Sequence, residues 1–552
     1  MPKSKTKRQQ VPVNTSPAST LPSELLCRIF HTIKSEGSAS PYPALFEPAF
    51  APELQWVSEI THVCHRWRAI ALSDPTLWTD ICVSASHRWA AEFLKRSKNL
   101  PGVRISSNLN VGAVMLGSHG LMKKENLAMC RKLYSQACHR VETLLFENAE
   151  NFQIEGFFLD FLEGLANNPR SSSLKKIVIL GHPDDRWEPF IFDNSDTYIF
   201  NPPDVEQLHL KYVRAAWNFL KEFQGLTHLH LEHRSNQMFD LDPTNLIEVL
   251  EVLPCLKNLV FRVKGSGHLQ HSLEDEPSST KQLILPHLHF VKVRHFSGIW
   301  MRHFLLNFSP LNHAPRMWDI GVLDDARWHK KVFTTALEHV PSHYLSSCEL
   351  SMDPPRVHVR TYHARTPVLS FWPSHPRGDI NRSTLPMLRY RAAHHVSSGA
   401  PPEEPTGIDI ALNLLSQPRV YNFLDELDFS PSAYLVTPQL LAETIGRLPQ
   451  LRIVNLHIEV ASSIPFFSAL TFGAGSNLNA LPFKRLEEIN VHTRISSDAE
   501  AEKEILRSMV ERHRSGFPIR RLTLPLLHLA GYVRDVIALQ KVVESITIKG
   551  TR

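Results

Sequence analysis

The 552-residue chain lacks the marks of a secreted, membrane-spanning or redox-built protein. Its seven cysteines (Cys27, Cys64, Cys82, Cys130, Cys138, Cys255 and Cys348) form no CxxC pair and no regular framework. That excludes a disulfide scaffold and fits reduced thiols in the cytoplasm or nucleus. No apolar run approaches the roughly 18 residues a membrane helix needs. The opening "MPKSKTKRQQ" has no apolar stretch of the secretory kind and is expected to be a solvated tail. A formal charge of +5 is small for this length, so composition makes no case for nucleic acid. The phosphate-loop, zinc-protease and nucleophile-elbow patterns are missing too. The "GSG" at 265–267 sits in a polar stretch without a strand-to-helix context. These absences leave no catalytic residue, metal or cofactor to assign, and the chain is read as a non-enzyme.

What is present is ordinary globular composition, with 43% apolar and 21% charged residues. The length exceeds one compact core, which implies several domains or a repeat array. Residues 1–20 are polar and expected to be disordered. A helix is predicted from Pro22, with Leu25, Leu26, Ile29 and Ile33 as its apolar stripe. Residues 34–53 read as a Pro- and Ser-rich loop. A second helix is predicted over Trp56–Leu72, its apolar side being Ile60, Val63, Cys64, Trp67, Ile70 and Ala71. Asp74-Pro75 ends it, and "TLWTDICV" leads into a short strand. His62 and Cys64, two apart, would face different sides of that helix, so they are not a zinc pair.

From about residue 95 the texture changes. Short stretches of the form Φ-x-x-Φ-x-Φ, with Φ apolar, alternate with helical periodicity. They are "LKKIVI", "VEQLHL", "LTHLHL", "LKNLVF", "LHFVKV", "LDELDF", "LRIVNL", "LEEINV", "IRRLTL" and "VESITI". Within the two blocks, 177–291 and 427–546, the central apolar positions step by 21 to 35 residues, enough for one strand and one helix. Three stretches follow a Leu-Pro at the same offset. Such units share one core when stacked, Φ inward and x outward. The pattern frays between 300 and 420, and loops are expected at 265–281, 352–384 and 396–408. Asp184-Asp185 after His182, His287 with His289, and His394-His395 read as surface residues.

"LPSELLCRIF" followed by "VCHRWRAIALSDPTLW" resembles the F-box, a three-helix module of about fifty residues. The matching positions are Leu21, Pro22, Glu24, Leu25, Leu26, Ile29 and Phe30, then Val63, Cys64, Trp67, Arg68, Ile70 and Ala71, then Pro75, Leu77 and Trp78. The departure is an insertion of about twenty residues, Lys34 to Glu53, where the family usually has a short link. The remainder resembles, more weakly, the irregular leucine-rich-repeat domains found behind F-boxes. The resemblance implies an N-terminal all-α module over 21–82, then an α/β irregular leucine-rich-repeat-like solenoid over 95–552. It implies a substrate receptor of a Skp–cullin–F-box (SCF) ubiquitin ligase. The Skp adaptor, and cullin through it, would be the partners at Leu21, Pro22, Leu25, Ile29, Val63, Trp67, Leu77 and Trp78. An unknown protein substrate would meet the outward strand residues, among them His209, His228, His230, Lys257, His289 and Lys292. The alternative is a non-catalytic interaction scaffold that binds Skp without cullin, or does not bind it.

Overall fold

The structure, a computed structural model, describes residues 20–38, 52–82, 87–98, 100–108, 138–149, 173–181, 190–192, 205–234, 243–264, 282–308, 317–323, 326–340, 347–352, 367–372, 388–393, 412, 414–430, 436–456, 464–472, 481–491, 499–525 and 533–549. The loops expected at 265–281 and 396–408, the tail at 1–19, and His182, Asp184, Asp185, His394 and His395 lie outside the described residues. The chain divides into two compact units, Met1–Phe223 and Gln224–Arg552.

The first unit begins with helices α1 (Ser23–Ser38), α2 (Pro52–Thr61) and α3 (His65–Ser73), then a 3-10 turn at Pro75–Trp78. That turn runs into β1 (Asp80–Cys82), followed by α4 (His87–Arg96), β2 (Val103–Asn108), β3 (Val141–Ala149) and β4 (Lys176–Gly181). After β5 (Phe190–Phe192) come β6 (Gln207–Lys211) and β7 (Val213–Ala215). Strands β1, β2, β3, β4 and β6 pair side by side, all parallel, while β5 and β7 form a separate parallel pair.

The second unit contains β8 (His228–Arg234), β9 (Asn258–Lys264), β10 (Phe290–Phe296) and β11 (Met317–Leu323), consecutive and parallel. Then come β12 (Ser347–Met352), β13 (Pro367–Trp372) and β14 (Leu388–Ala393). Five parallel strands complete it: β15 (Glu426–Ser430), β16 (Ile453–Leu456), β17 (Glu488–Val491), β18 (Arg521–Pro525) and β19 (Ser545–Lys549). Helices alternate with most strands, for example Pro243–Glu251, Gly298–Leu306, Ala326–Glu338 and Ala499–Arg514.

This α/β arrangement of parallel sheets overturns the expected fold class on both counts. The N-terminal helices are not a free-standing all-α module. The 3-10 turn feeds β1, whose Ile81 is fully buried and pairs with Ile105 of β2, so helices and sheet share a core. A helical module of about fifty residues encloses little apolar volume, and taking on a strand and α4 enlarges it. Nor is the rest a repeat solenoid, which requires each strand to neighbour the next in sequence. Here β14, not β12, lies beside β11. Strand β13 runs antiparallel to both β12 and β14, and β12 then leads to β15. Strand β13 also occupies part of the loop expected at 352–384.

The ten Φ-x-x-Φ-x-Φ stretches coincide with β4, β6, β8, β9, β10 and β15–β19. Their central apolar residues, from Ile177 to Leu522, are buried, and Ile546 is half-buried. The shared Leu-Pro marks a turn ahead of the strand. The Leu256 and Leu288 amides donate to the Leu253 and Leu285 carbonyls at 3.2 and 3.1 Å. A run of buried rings fills the first half of the second unit's core. Phe296 stacks on Trp300 at 4.1 Å, Trp300 on Phe304 at 5.4 Å, and Phe308 meets Trp318 edge-on at 5.3 Å. In the second half, buried Arg512 donates to the Pro482 and Phe483 carbonyls at 3.0 and 2.8 Å and ties the Ala499–Arg514 helix to the turn before β17.

Candidate functional site

Two surfaces carry the residues singled out from the sequence, one in each unit. The first is the helical cap of residues 21–78. The expected single helix over 56–72 is two helices, because the chain turns at His62–Cys64. Cys64 is the N-cap of α3, its thiol accepting from the Trp67 amide at 3.4 Å, and it is exposed. It is therefore not on the buried apolar side where the periodicity placed it. Arg68 donates to the Thr61 carbonyl at 2.8 Å and closes the same turn. The Arg66 guanidinium donates to the Leu21 carbonyl, tying the start of α3 to the residues that precede α1.

Beneath this surface the core is aromatic. Trp78 lies 5.4 Å from Trp56 and 4.9 Å from Phe93 of α4, with the Arg96 guanidinium 4.4 Å over its ring. Its indole N–H donates to the Ala71 carbonyl at 2.8 Å. Asp74 caps the 3-10 turn through the Thr76 amide at 3.0 Å. Burial pushes its carboxyl up, but the hydrogen bonds from Thr76 and the His31 ring at 3.4 Å outweigh this and hold it below the usual range. Lys34 bridges the Leu77 carbonyl at 3.0 Å and Asp80 at 2.6 Å, stitching α1 to β1.

The eight residues predicted to dock a partner are thereby split. Leu77 and Trp78 are 0% exposed and belong to the core, so they offer no docking surface. Trp67 is half-buried against Phe30, the rings 5.2 Å apart, and Leu21 is half-buried. Pro22 is exposed, and Leu25, Ile29 and Val63 are 44%, 37% and 55% exposed. The periodicity also missed Leu72, at 38%, because it lies off the apolar stripe. Leu25 and Ile29 stand at i and i+4 on one side of α1, and Pro22 lies just ahead of its first residue.

The second surface is the polar face of the sheet in the second unit. His228, His230 and Lys292 lie in strands and are half-buried, and Lys257 and His289 stand exposed just ahead of β9 and β10. The backbone links these two, since the His289 amide donates to the Lys257 carbonyl at 2.7 Å. His209 is half-buried on β6 of the first unit.

Register places His230, Val260, Lys292 and Asp319 in one row across β8–β11, with Glu232, Arg262, Arg294 and Gly321 in the next. Arg294 grips Asp319 with two hydrogen bonds, one of 3.0 Å from Nε, and its stem passes over Gly321, where a Cβ would meet it at 3.3 Å. Lys292 reaches the same carboxylate at 3.5 Å. Burial, with repulsion from Arg294 and Arg262 and against the pull of Asp319, pushes the Lys292 ammonium down to about 8. At His295 the φ angle is +68° and the β10–β11 register shifts, a bulge that re-aims the strand beside this cluster.

Arg262, Arg294 and Asp319 were missed from the sequence. The six-residue pattern stops one residue short of Arg262 and Arg294, and extending its alternation would have reached both.

On the same face, β15–β17 are acidic. Asn455 links Glu426, at 2.8 Å, to Asp428, while Asp425 pairs with Arg452 at 2.5 Å and Glu488 with Arg521 at 2.5 Å. Burial, with Asp428, Asp425 and Glu488 nearby, raises the Glu426 carboxyl above its ordinary value although Asn455 opposes the shift.

Among the described residues no group of three or more His, Cys, Asp or Glu side chains is placed to hold a metal ion. No helix among them is long and apolar enough to cross a membrane. No family model matches the chain, and no curated protein matches it.

Proposed function

We propose that the helical cap of residues 21–78 docks an Skp-type adaptor, and that the chain is a substrate receptor of an SCF-type ubiquitin ligase. One observation carries the reading beyond the sequence resemblance. Of the nine large apolar side chains exposed among the described residues, four lie in the cap: Leu25, Ile29, Val63 and Leu72. The cap closes its own core around Trp56, Trp78 and Phe93, so these four are left over from folding and fit a partner's apolar groove. Pro22, Leu25, Ile29 and Val63 are then the adaptor contacts, with Leu21 and Trp67 supporting them from half-buried positions. Leu77 and Trp78 hold the scaffold. The chain would supply no acid, base or nucleophile; its contribution is to raise the local concentration of a substrate lysine near the conjugating enzyme.

The test is co-purification of the full chain with Skp and cullin. Leu25→Ala with Ile29→Ala is expected to abolish Skp capture while leaving the thermal unfolding transition in place. Capture at wild-type strength by that double variant would defeat the site assignment. Skp without cullin would support the scaffold reading instead, and a wild-type chain that captures neither would remove the adaptor reading altogether.

A further inference from the structure

The polar sheet face of the second unit is divided by charge, and the division identifies a ligand class. On β10, Lys292 and Arg294 both reach Asp319 of β11, while Arg262 of β9 stands in register with Arg294 and with Glu232 of β8. The adjoining strand β14 sets Arg389 in register with Asp319 and Arg391 with Gly321. By residue type, these register rows hold five cationic and two acidic positions. One of the two acids, Asp319, is gripped by both Arg294 and Lys292.

Burial, and then repulsion from Arg294 and Arg262, disfavours the Lys292 ammonium, and an incoming carboxylate would relieve this. Phe290, Val260 and Arg262, like Lys292, keep part of their surface accessible, so the cluster is reachable between apolar contacts. The bulge at His295 holds Arg294 over Gly321, which has no side chain to block it.

We propose that this basic sector, Arg262–Lys292–Arg294, binds an acidic peptide segment of a protein partner. The peptide would be seated across β9–β11 with its carboxylates against Arg262 and Lys292, the two accessible cations, while buried Arg294 holds Asp319 behind them, and with an apolar residue against Phe290 and Val260. The acidic sector, with Glu426 and Asp428 on β15, lies farther along the same sheet face. Strand order places five strand steps between β10 and β15, about 24 Å at ~4.8 Å each. That is about three screening lengths at physiological salt, so the two sectors act separately, one attracting and the other excluding the same ligand. The assignment does not depend on the adaptor reading, because it concerns the chain alone.

The experiment is fluorescence anisotropy with the purified full chain and a labelled Glu/Asp-rich peptide of about eight residues carrying one central Leu, long enough to cross three strands. Binding is expected at physiological salt. It should weaken at least about tenfold in Lys292→Glu and in Arg262→Gln, and be unchanged in Glu426→Gln. A Lys-rich peptide of the same length is expected not to bind at this sector. Leu25→Ala with Ile29→Ala should bind the acidic peptide normally, which separates failure here from failure of the adaptor reading.

Thermal unfolding of each variant serves as the folding control, and Lys292→Met replaces the charge reversal if Lys292→Glu melts early. No binding by the wild type, or binding indifferent to both Arg262→Gln and Lys292→Met, would overturn the proposal. So would tighter binding of a single-stranded oligonucleotide of equal charge with the same mutant dependence, which would make the sector a nucleic-acid surface.

Discussion

The two ends of the opening motif look alike as sequence and behave oppositely in the fold. At its start, Pro22, Leu25 and Ile29 are wet, and at its finish Leu77 and Trp78 are completely dry. Both ends are apolar, and periodicity treats them as one kind of residue. The difference comes from the segment into which each end leads. Residues 75–78 run directly into β1, with Trp78 packed against Trp56 of α2, Ala71 of α3 and Phe93 of α4, whereas the outer side of α1 is left uncovered by the described residues of the unit. A short apolar motif therefore mixes two duties, closing a core and offering a surface, and only packing separates them.

That contrast can be broken most forcefully at its dry end. Trp78→Ala should remove contacts to Trp56, Phe93 and Arg96 and orphan the Ala71 carbonyl. A loss of about 3–5 kcal/mol is expected in urea unfolding, with adaptor binding lost only as a consequence of unfolding.

A titratable group in a dry position sharpens the same point in the second unit. His339 is buried 5.5 Å from Trp318, and burial, with a smaller contribution from the nearby Arg419 charge, lowers it from 6.5 to about 4. The unfolded chain takes up a proton below pH 6.5 while the folded chain stays neutral to about pH 4. Stability is therefore intact above pH 6.5 and declines as pH falls through that window. The expected loss is about 2 kcal/mol at pH 5 relative to pH 7. His339→Phe should flatten that part of the urea-stability profile, and an unchanged profile would mean other groups dominate it.

At the wet end the effect on stability should nearly vanish. Val63→Ser and Leu72→Ser are each expected to change stability by no more than ~0.5 kcal/mol while weakening adaptor capture. A larger stability change would mean that these side chains serve the fold after all.

Much of the local structure was legible. Alternation in "LTHLHL" or "LRIVNL" located strands, because a strand with one buried face must alternate. The order of those strands was not. "SCELSM", "PVLSFW" and "LRYRAA" are short and only partly alternating, so nothing in them announced that β13 would run backwards and place β14 beside β11. The turn at His62–Cys64 was hidden because Val63 and Cys64 fit the helical stripe. Cys64 capping α3 and Arg68 reaching Thr61 are local arrangements that a count of apolar positions does not register.

The sequence by itself determined which residues are apolar, their periods, and hence where most strands and helices form, since burial demands those periods locally. Tertiary structure alone decided that the N-terminal helices join a sheet instead of standing free. It also decided that Leu25 faces water while Trp78 does not, and that Lys292 and Arg294 meet Asp319 of the next strand while Arg262 stands in register with Arg294. The physical reason is common to all three. Exposure and charge crowding depend on which distant segments pack together, and that is fixed by strand order and register across the whole unit.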